Sequence, residues 1–294
     1  MINTVRIVFF SGTGCTALSA DTLKRSLEKR AISVVLEELR GPRTQAAEVD
    51  ADMLVLMFPV HAFDAPLPIY EYLDYLRQSD KQKVALVSVS GGGEVVTNRA
   101  SRFKIARLLE QKGYEPVYES TIVMPCNTII CTPEPVAAAL LEKLPFKCEQ
   151  IAADLAQGTL LRTNPPLLDR LFSKMGNGLR GSWGCIRFGE KLQVSNACDS
   201  CGQCARDCPR NNIDMIDGIP RFRADCALCL RCIYGCPHDA ISAGYGSVLV
   251  LKDGFSLESY KVGMPPPPSG ADSMIRGVIW KGVRQYLRET TLER

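Results

Sequence analysis

Val5-Arg6-Ile7-Val8-Phe9-Phe10-Ser11-Gly12-Thr13-Gly14-Cys15-Thr16-Ala17 decides the reading of the N-terminal half. Residues 5–10 are a strand-sized apolar run, and residues 11–16 form a turn rich in glycine and hydroxyls. From residue 17 to 29, Leu18, Leu23 and Leu27 return at helical spacing. The same alternation continues outward. Strands are predicted at 33–36, 53–58, 84–89 and 116–124, and helices at 66–76, 98–112 and 135–156. Five strands with helical crossovers predict an α/β doubly wound parallel sheet of order 2-1-3-4-5.

A glycine-rich turn between a strand and a helix N-terminus aims backbone N–H groups and the helix dipole at one point, which suits a phosphate. The hydroxyls of Ser11, Thr13 and Thr16 add donors for the three free oxygens of a phosphate monoester. At Cys15 the backbone N–H matters more than the sulfur. Two other readings stay open on these residues. Gly12-x-Gly14-x-x-Ala17 also satisfies the dinucleotide fingerprint, with Glu37 or Glu38 placed to hold a ribose. A glycine turn can also serve as a turn and bind nothing.

The second informative stretch is duplicated. Cys198, Cys201, Cys204 and Cys208 read C-x2-C-x2-C-x3-C with Pro209 behind, and Cys226, Cys229, Cys232 and Cys236 repeat that spacing 28 residues later, before Pro237. Three closely spaced thiolates wrap three corners of an iron–sulfur cube, and the cysteine before proline reaches the other cube. The expected sets are Cys198, Cys201, Cys204 with Cys236, and Cys226, Cys229, Cys232 with Cys208. Structural zinc favours two separated cysteine pairs, and disulfides favour small secreted domains, so both fit this spacing less well. Cys126, Cys131, Cys148 and Cys185 have no ligand spacing and read as small apolar residues.

Together these residues resemble the flavodoxin–ferredoxin fusion proteins of anaerobic bacteria and archaea. The resemblance spans roughly residues 5–245. It rests on Ser11-Gly12-Thr13-Gly14-x-Thr16, on Phe58-Pro59-Val60-His61-Ala62-Phe63 after the third strand, and on the double cysteine motif. It departs at His61, where an aromatic residue is common, and at Phe63, where tryptophan is common. The resemblance implies an FMN whose phosphate lies in residues 11–16. It places the ring between Pro59, Val60, His61, Ala62, Phe63 and the glycine turn Ser90-Gly91-Gly92-Gly93. There the lack of Cβ atoms would let the backbone offer N–H groups to the ring. An ordinary strand-to-helix loop is the competing reading of that turn.

The implied domains are 1–157 (flavodoxin-like, FMN-binding), 158–192 (linker), 193–246 (two-cluster 4Fe–4S ferredoxin) and 247–294 (C-terminal extension). Within the linker a short helix is expected at 167–172, and Trp183 is placed to pack a junction. Asp217-Gly218 signals a hairpin within 213–223. In the extension, residues 248–251 read as a strand and Pro265 to Pro268 as a stiff spacer. Residues 275–287 read as an amphipathic helix docking on its own protein or on a twin subunit in a homodimer, with Arg276, Lys281, Arg284 and Arg288 on its basic face.

A net charge of +3 with 23% charged residues implies no nucleic-acid partner, and no apolar run reaches membrane-span length. The reading predicts a cytoplasmic protein in a reducing, low-oxygen setting. A flavin handles electrons in pairs or singly and each cube moves one. The first functional expectation is therefore an electron-transfer flavoprotein working between a ferredoxin-like donor and a partner enzyme. The alternative is an FMN-dependent reductase of a quinone, enone or tetrapyrrole, fed by its own ferredoxin domain. His61 and Asn127 are its catalytic candidates: the imidazole as a proton relay, the amide as a contact to ring or substrate. A packing histidine and a turn-forming asparagine remain open for both. A scaffold or sensor using its clusters structurally is a third reading.

Overall fold

The computed structural model describes residues 2–41, 49–95, 98–180, 186–260 and 270–289. Trp183, Cys185 and the prolines at 265–268 lie outside them. Five strands, β1 (Thr4–Phe9), β2 (Ser33–Glu38), β3 (Met53–Pro59), β4 (Lys83–Ser90) and β5 (Glu115–Val123), form one sheet of order β2-β1-β3-β4-β5. All four pairings are parallel. This is the flavodoxin-like topology expected from the sequence. Residues 53–58 of β3 are all buried because the central strand is covered on both faces.

Side-chain alternation sends Val5, Ile7, Val55 and Met57 to one core, under α1 (Cys15–Glu28) and α4 (Glu134–Gln157). Val8, Leu54, Leu56 and Phe58 enter the opposite core, under α2 (Leu67–Tyr75) and α3 (Phe103–Gln111). Each fully buried Leu or Phe there contributes roughly 1.5–3 kcal/mol. Because the strands are parallel, the loops after β1, β3, β4 and β5 leave from one end of the sheet. Open α/β sheets bind ligands at that end.

One polar element interrupts the packing. Arg102 is 1% exposed. Its guanidinium reaches Ser88 Oγ at 2.6 Å, Glu94 at 2.8 Å and Glu119 at 3.3 Å, and it also donates to Thr121. Ser88 and Thr121 are register partners on β4 and β5, which brings the two hydroxyls to one guanidinium.

After α4 the chain runs through α5 (Leu167–Arg180), more than twice the length expected, to a smaller cysteine-rich unit. That unit contains β6 (Gln193–Val194), α6 (Gln203–Asp207), β7 (Ile213–Ile216), β8 (Ile219–Phe222), α7 (Arg231–Tyr234) and β9 (Ile241–Ser242). The strands β7 and β8 form the expected hairpin, with Asp217 and Gly218 at positive φ in the turn. The strands β6 and β9 close the unit as an antiparallel pair.

Two expectations for the extension change. Residues 248–251 form no strand: Gly244–Leu249 is a 3-10 helix, Val248 is exposed, and the Leu251 N–H is taken by the Tyr234 hydroxyl at 2.8 Å. The last helix, α8 (Lys281–Glu289), starts six residues later than expected, because Gly277 turns left-handed at φ 89°. Val278 and Ile279 are consequently exposed, while Val283, Tyr286 and Leu287 pack on Val136 and Leu140 of α4. The helix therefore docks on its own chain. Among the described residues no helix is long and apolar enough to cross a membrane.

Candidate functional site

The turn after β1 places Ser11, fully buried, beneath the start of α1, where its Oγ accepts the Ala17 N–H at 3.2 Å. Gly14 is the N-cap at φ 96°, a conformation that glycine adopts without strain. The N-cap Gly14 offers no side chain to cap α1, Ser11 answers one first-turn N–H, that of Ala17, and the first turn holds no acidic residue. The positive end of the dipole thus faces the loop without a built-in counter-charge. Thr16 is buried, and Thr13 Oγ1 accepts the Asn127 side-chain amide at 2.6 Å. Asn127, expected beside a ring or substrate, therefore braces the loop. Its own carbonyl accepts the Tyr234 hydroxyl at 2.8 Å. The Cys15 Sγ lies 3.8 Å from the Pro125 carbonyl.

After β3, Pro59, Val60 and His61 are partly buried and Ala62 is exposed. His61 and Asp64 pair as an isolated bridge, and Ala62 and Phe63 both take positive φ, 47° and 71°. Non-glycine residues held there are strained, and such strain gathers at ligand-binding loops. The His61 ring meets Phe10 edge-on, with centroids 6.3 Å apart. Phe63 meets Phe172 of α5 in the same manner.

The glycine turn differs from expectation. The N–H groups of Gly92 and Gly93 donate to Ser90 Oγ, at 3.1 and 3.2 Å, and so do not face a ligand. The close approaches its glycines permit are to protein. Gly91 abuts Cys126, and Gly93 abuts Gly282 at the start of α8.

The eight motif cysteines line two cavities. One holds Cys226, Cys229 and Cys232 together with Cys208; the other holds Cys198, Cys201 and Cys204 together with Cys236. Each cavity thus takes its fourth cysteine from the other run, the exchange that the spacing implies. Among the described residues no group of three His, Cys, Asp or Glu closes on a single metal ion; the sulfurs stand around a void instead.

The duplication extends to the backbone. Ser200 and Leu228, Gly202 and Leu230, and Asn211 and Asp239 are 28 residues apart, and all six take positive φ. Leucine is strained in that region, so the loops hold one shape against local preference. Backbone N–H groups point at sulfur: Asn212 to Cys208 and Ala240 to Cys236, both at 3.3 Å, and Leu228 to Cys226 at 3.4 Å. Burial pushes the Cys226 thiol up to about 12 and raises Cys229 and Cys232 as well. Thiolates form in such a place only with a cation as partner. The other cavity has exposed residues on its rim: Cys201 is exposed, and His238 pairs with Asp199 at 2.9 Å.

The two units meet at the phosphate-type loop. Arg231, between Leu230 and Cys232, donates from Nε to the Gly12 carbonyl at 2.9 Å. Its Nη2 donates to the Ser11 carbonyl at 2.7 Å and to Glu38 at 2.6 Å. Its Nη1 reaches the Asp207 carbonyl at 3.2 Å. Glu38, the ribose candidate of the dinucleotide reading, is thereby engaged by Arg231 and by Arg40. Gly12 packs so tightly that a Cβ there would lie 2.5 Å from the Cys229 carbonyl oxygen. Arg210 pairs with Glu71 of α2 and with Asp225, and the Gly41 N–H donates to the Pro209 carbonyl at 2.7 Å. Sequence reasoning missed Arg210, Arg231 and Tyr234. The only available signal was their departure from the internal repeat, which places His238, Gln203 and Arg206 at the equivalent positions.

No protein-family model and no curated protein matches the sequence. Solved structures match its N-terminal half. Flavodoxin 2 from Bacillus cereus is 24% identical with a TM-score of 0.40, over 52% of this chain and 98% of its own. A flavodoxin from Streptococcus pneumoniae TIGR4 is 19% identical with a TM-score of 0.39, over 52% and 98%. General stress protein 14 from Treponema denticola, in complex with FMN, is 15% identical with a TM-score of 0.38, over 53% and 97%. Likenesses of this size do not bear on chemistry, and the fold assignment rests on the strand order itself.

Proposed function

We propose that this chain is an electron-transfer iron–sulfur flavoprotein. In this reading residues 11–16 hold the phosphate of FMN, the loop of Pro59 to Phe63 borders its ring, and the two cysteine quartets hold two 4Fe–4S cubes. The observation that carries it is the pair of cavities, each lined by three cysteines of one run and the fourth of the other. A cube spreads its four sulfur ligands around a void, as these quartets do. The N–H groups aimed at Cys208, Cys226 and Cys236 supply the hydrogen bonds that tune such clusters. The glycine N-cap and the lack of an acidic residue in the first turn of α1 support a phosphate at its N-terminus.

FMN would supply a carrier that stores two electrons and exchanges them singly. The chain's own groups hold and align the carriers. Asn127 braces Thr13, Ser11 anchors the turn, and Cys226, Cys229 and Cys232 stand half-buried around their cavity. The partner in this reading is a one-electron protein donor or acceptor of the ferredoxin class. The reductase reading gives Asn127 a substrate role, which the bond of its side-chain amide to Thr13 does not favour.

The test is anaerobic mixing of the purified protein with a reduced two-cluster ferredoxin and no small molecule. Bleaching of both cluster and flavin absorbance, reversed by an oxidised acceptor protein, is expected. Reduced flavin that no acceptor protein reoxidises, but that a quinone, enone or tetrapyrrole reoxidises with steady turnover, would overturn the carrier reading in favour of the reductase.

A further inference from the structure

We propose that the second cube, on Cys226, Cys229, Cys232 and Cys208, is the flavin-proximal carrier and that Arg231 is the positioning residue that clamps it to the phosphate loop. The electron order is then external donor, first cube, second cube, flavin. The proposal rests on the electron-transfer reading above and goes beyond it by ordering the carriers.

The internal repeat provides the comparison. If both loops had only to hold a cube, positions 28 residues apart would carry similar duties. At position 203 the first loop has Gln, whose amide donates to the Gly235 carbonyl within its own unit at 3.1 Å. At the equivalent position 231 the second loop has Arg, which spans to Ser11, Gly12 and Glu38. The next departure follows the same rule. Arg206 turns back to the Cys201 carbonyl at 2.7 Å, whereas its counterpart Tyr234 reaches Asn127 behind Thr13. The residues flanking Cys208 also face the sheet, through Pro209 to Gly41 and Arg210 to Glu71. Each of these contacts lies on the second quartet's side. The first quartet keeps Cys201, Asp199 and His238 toward solvent, where a donor protein has access.

Arg231 suits the clamp because its planar fork addresses two carbonyl oxygens and a carboxylate at once, which a lysine ammonium matches poorly. Its side chain is 15% exposed, so these charge-assisted bonds are only weakly screened. Fixing the carbonyls of Ser11 and Gly12 also fixes the peptide planes that carry the Gly12 and Thr13 N–H groups, which a trans peptide directs away from Arg231. With both groups bound, the quartet of Cys226, Cys229, Cys232 and Cys208 would hold the carrier that gives electrons one at a time to a flavin on residues 11–16, and the quartet of Cys198, Cys201, Cys204 and Cys236 the carrier that replenishes it, two passages supplying the pair. The reductant throughout is the ferredoxin-class donor.

The experiment uses the anaerobically purified full chain with both cofactor types loaded. In Arg231→Gln, which installs the first loop's residue, iron content and ferredoxin-to-cluster reduction are expected unchanged. Cluster-to-flavin transfer should slow at least tenfold and the FMN dissociation constant should rise about tenfold, with partial recovery in Arg231→Lys. Because the Gln variant can lose its second cube, pulsed-EPR relaxation of the flavin signal in otherwise native protein is the second arm. Fast relaxation should vanish in Cys208→Ser and persist in Cys236→Ser. Wild-type transfer and FMN affinity in iron-replete Arg231→Gln, or the reverse EPR pattern, would overturn the inference while leaving the carrier reading intact. A wild-type protein without iron or FMN would instead sink the carrier reading.

Discussion

Replacing Gly12 by alanine tests the junction between the two units with one methyl group. Gly12 does not sit in the left-handed region, so its backbone tolerates alanine and only space decides the outcome. The new Cβ would lie 2.5 Å from the Cys229 carbonyl oxygen, against 3.4 Å for ordinary contact, so the loops must part by about 0.9 Å. Both partners are backbone, and neither can rotate away. The same parting takes the Arg231 bond to the Gly12 carbonyl from 2.9 Å to about 3.8 Å, beyond hydrogen-bond range. Overpacking of this kind costs about 1–3 kcal/mol. At ~2–4 °C per kcal/mol for a domain of this size, the melting temperature should fall by about 2–12 °C. Anaerobic calorimetry of the loaded protein reads this directly, and stopped-flow flavin bleaching should slow in parallel. Gly178→Ala is the control: it is exposed on α5 with nothing within 4 Å of the added carbon, and should be neutral or stabilising by roughly 0.5–1 kcal/mol. A Gly12→Ala protein that melts and transfers electrons like wild type would refute the close packing of the two loops.

Arg102→Met should cost about 3–5 kcal/mol in urea unfolding, because it removes a buried guanidinium shared by Ser88, Thr121, Glu94 and Glu119 and leaves Glu119 only the longer contact to Arg162 at 3.5 Å; a loss below about 1 kcal/mol would contradict the network. Asp52 accepts the N–H groups of Asn3 and Thr4 at 2.7 and 2.9 Å, and these bonds hold its carboxyl below the ordinary value of 3.8. Its stabilisation is therefore present above that value and lost as pH falls through the lower, folded one. The melting-temperature gap between wild type and Asp52→Asn should stay constant down to about pH 4 and close below it; a gap that widens in acid would show the opposite sign.

Much of this was legible beforehand for identifiable reasons. The strand run 53–58 is apolar throughout, and 84–89 is apolar except for Ser88, because both faces are covered, so their burial could be read without knowing the partners. The cysteine exchange followed from spacing alone, since a cube constrains its ligands more tightly than sequence context does. What escaped were contacts between segments far apart in the chain. Arg231 reads as an ordinary surface residue until Ser11 and Gly12, some 220 residues earlier, are placed beside it. Arg102, within the helix predicted at 98–112, carries no local signal of its role, and it points between β4 and β5 because Ser88, Thr121 and Glu119 line that face of the sheet. The glycine turn at 91–93 was read toward a ligand, but its tightness serves Cys126 and Gly282, and Gly282 lies in a helix whose start the periodicity misplaced.

Anaerobic purification followed by iron, acid-labile sulfide and flavin quantitation tests the central claim most directly. Two cubes and one flavin predict about eight irons, eight sulfides and one FMN per chain. Zinc in place of iron, half that iron, or no flavin in a folded protein would contradict the account.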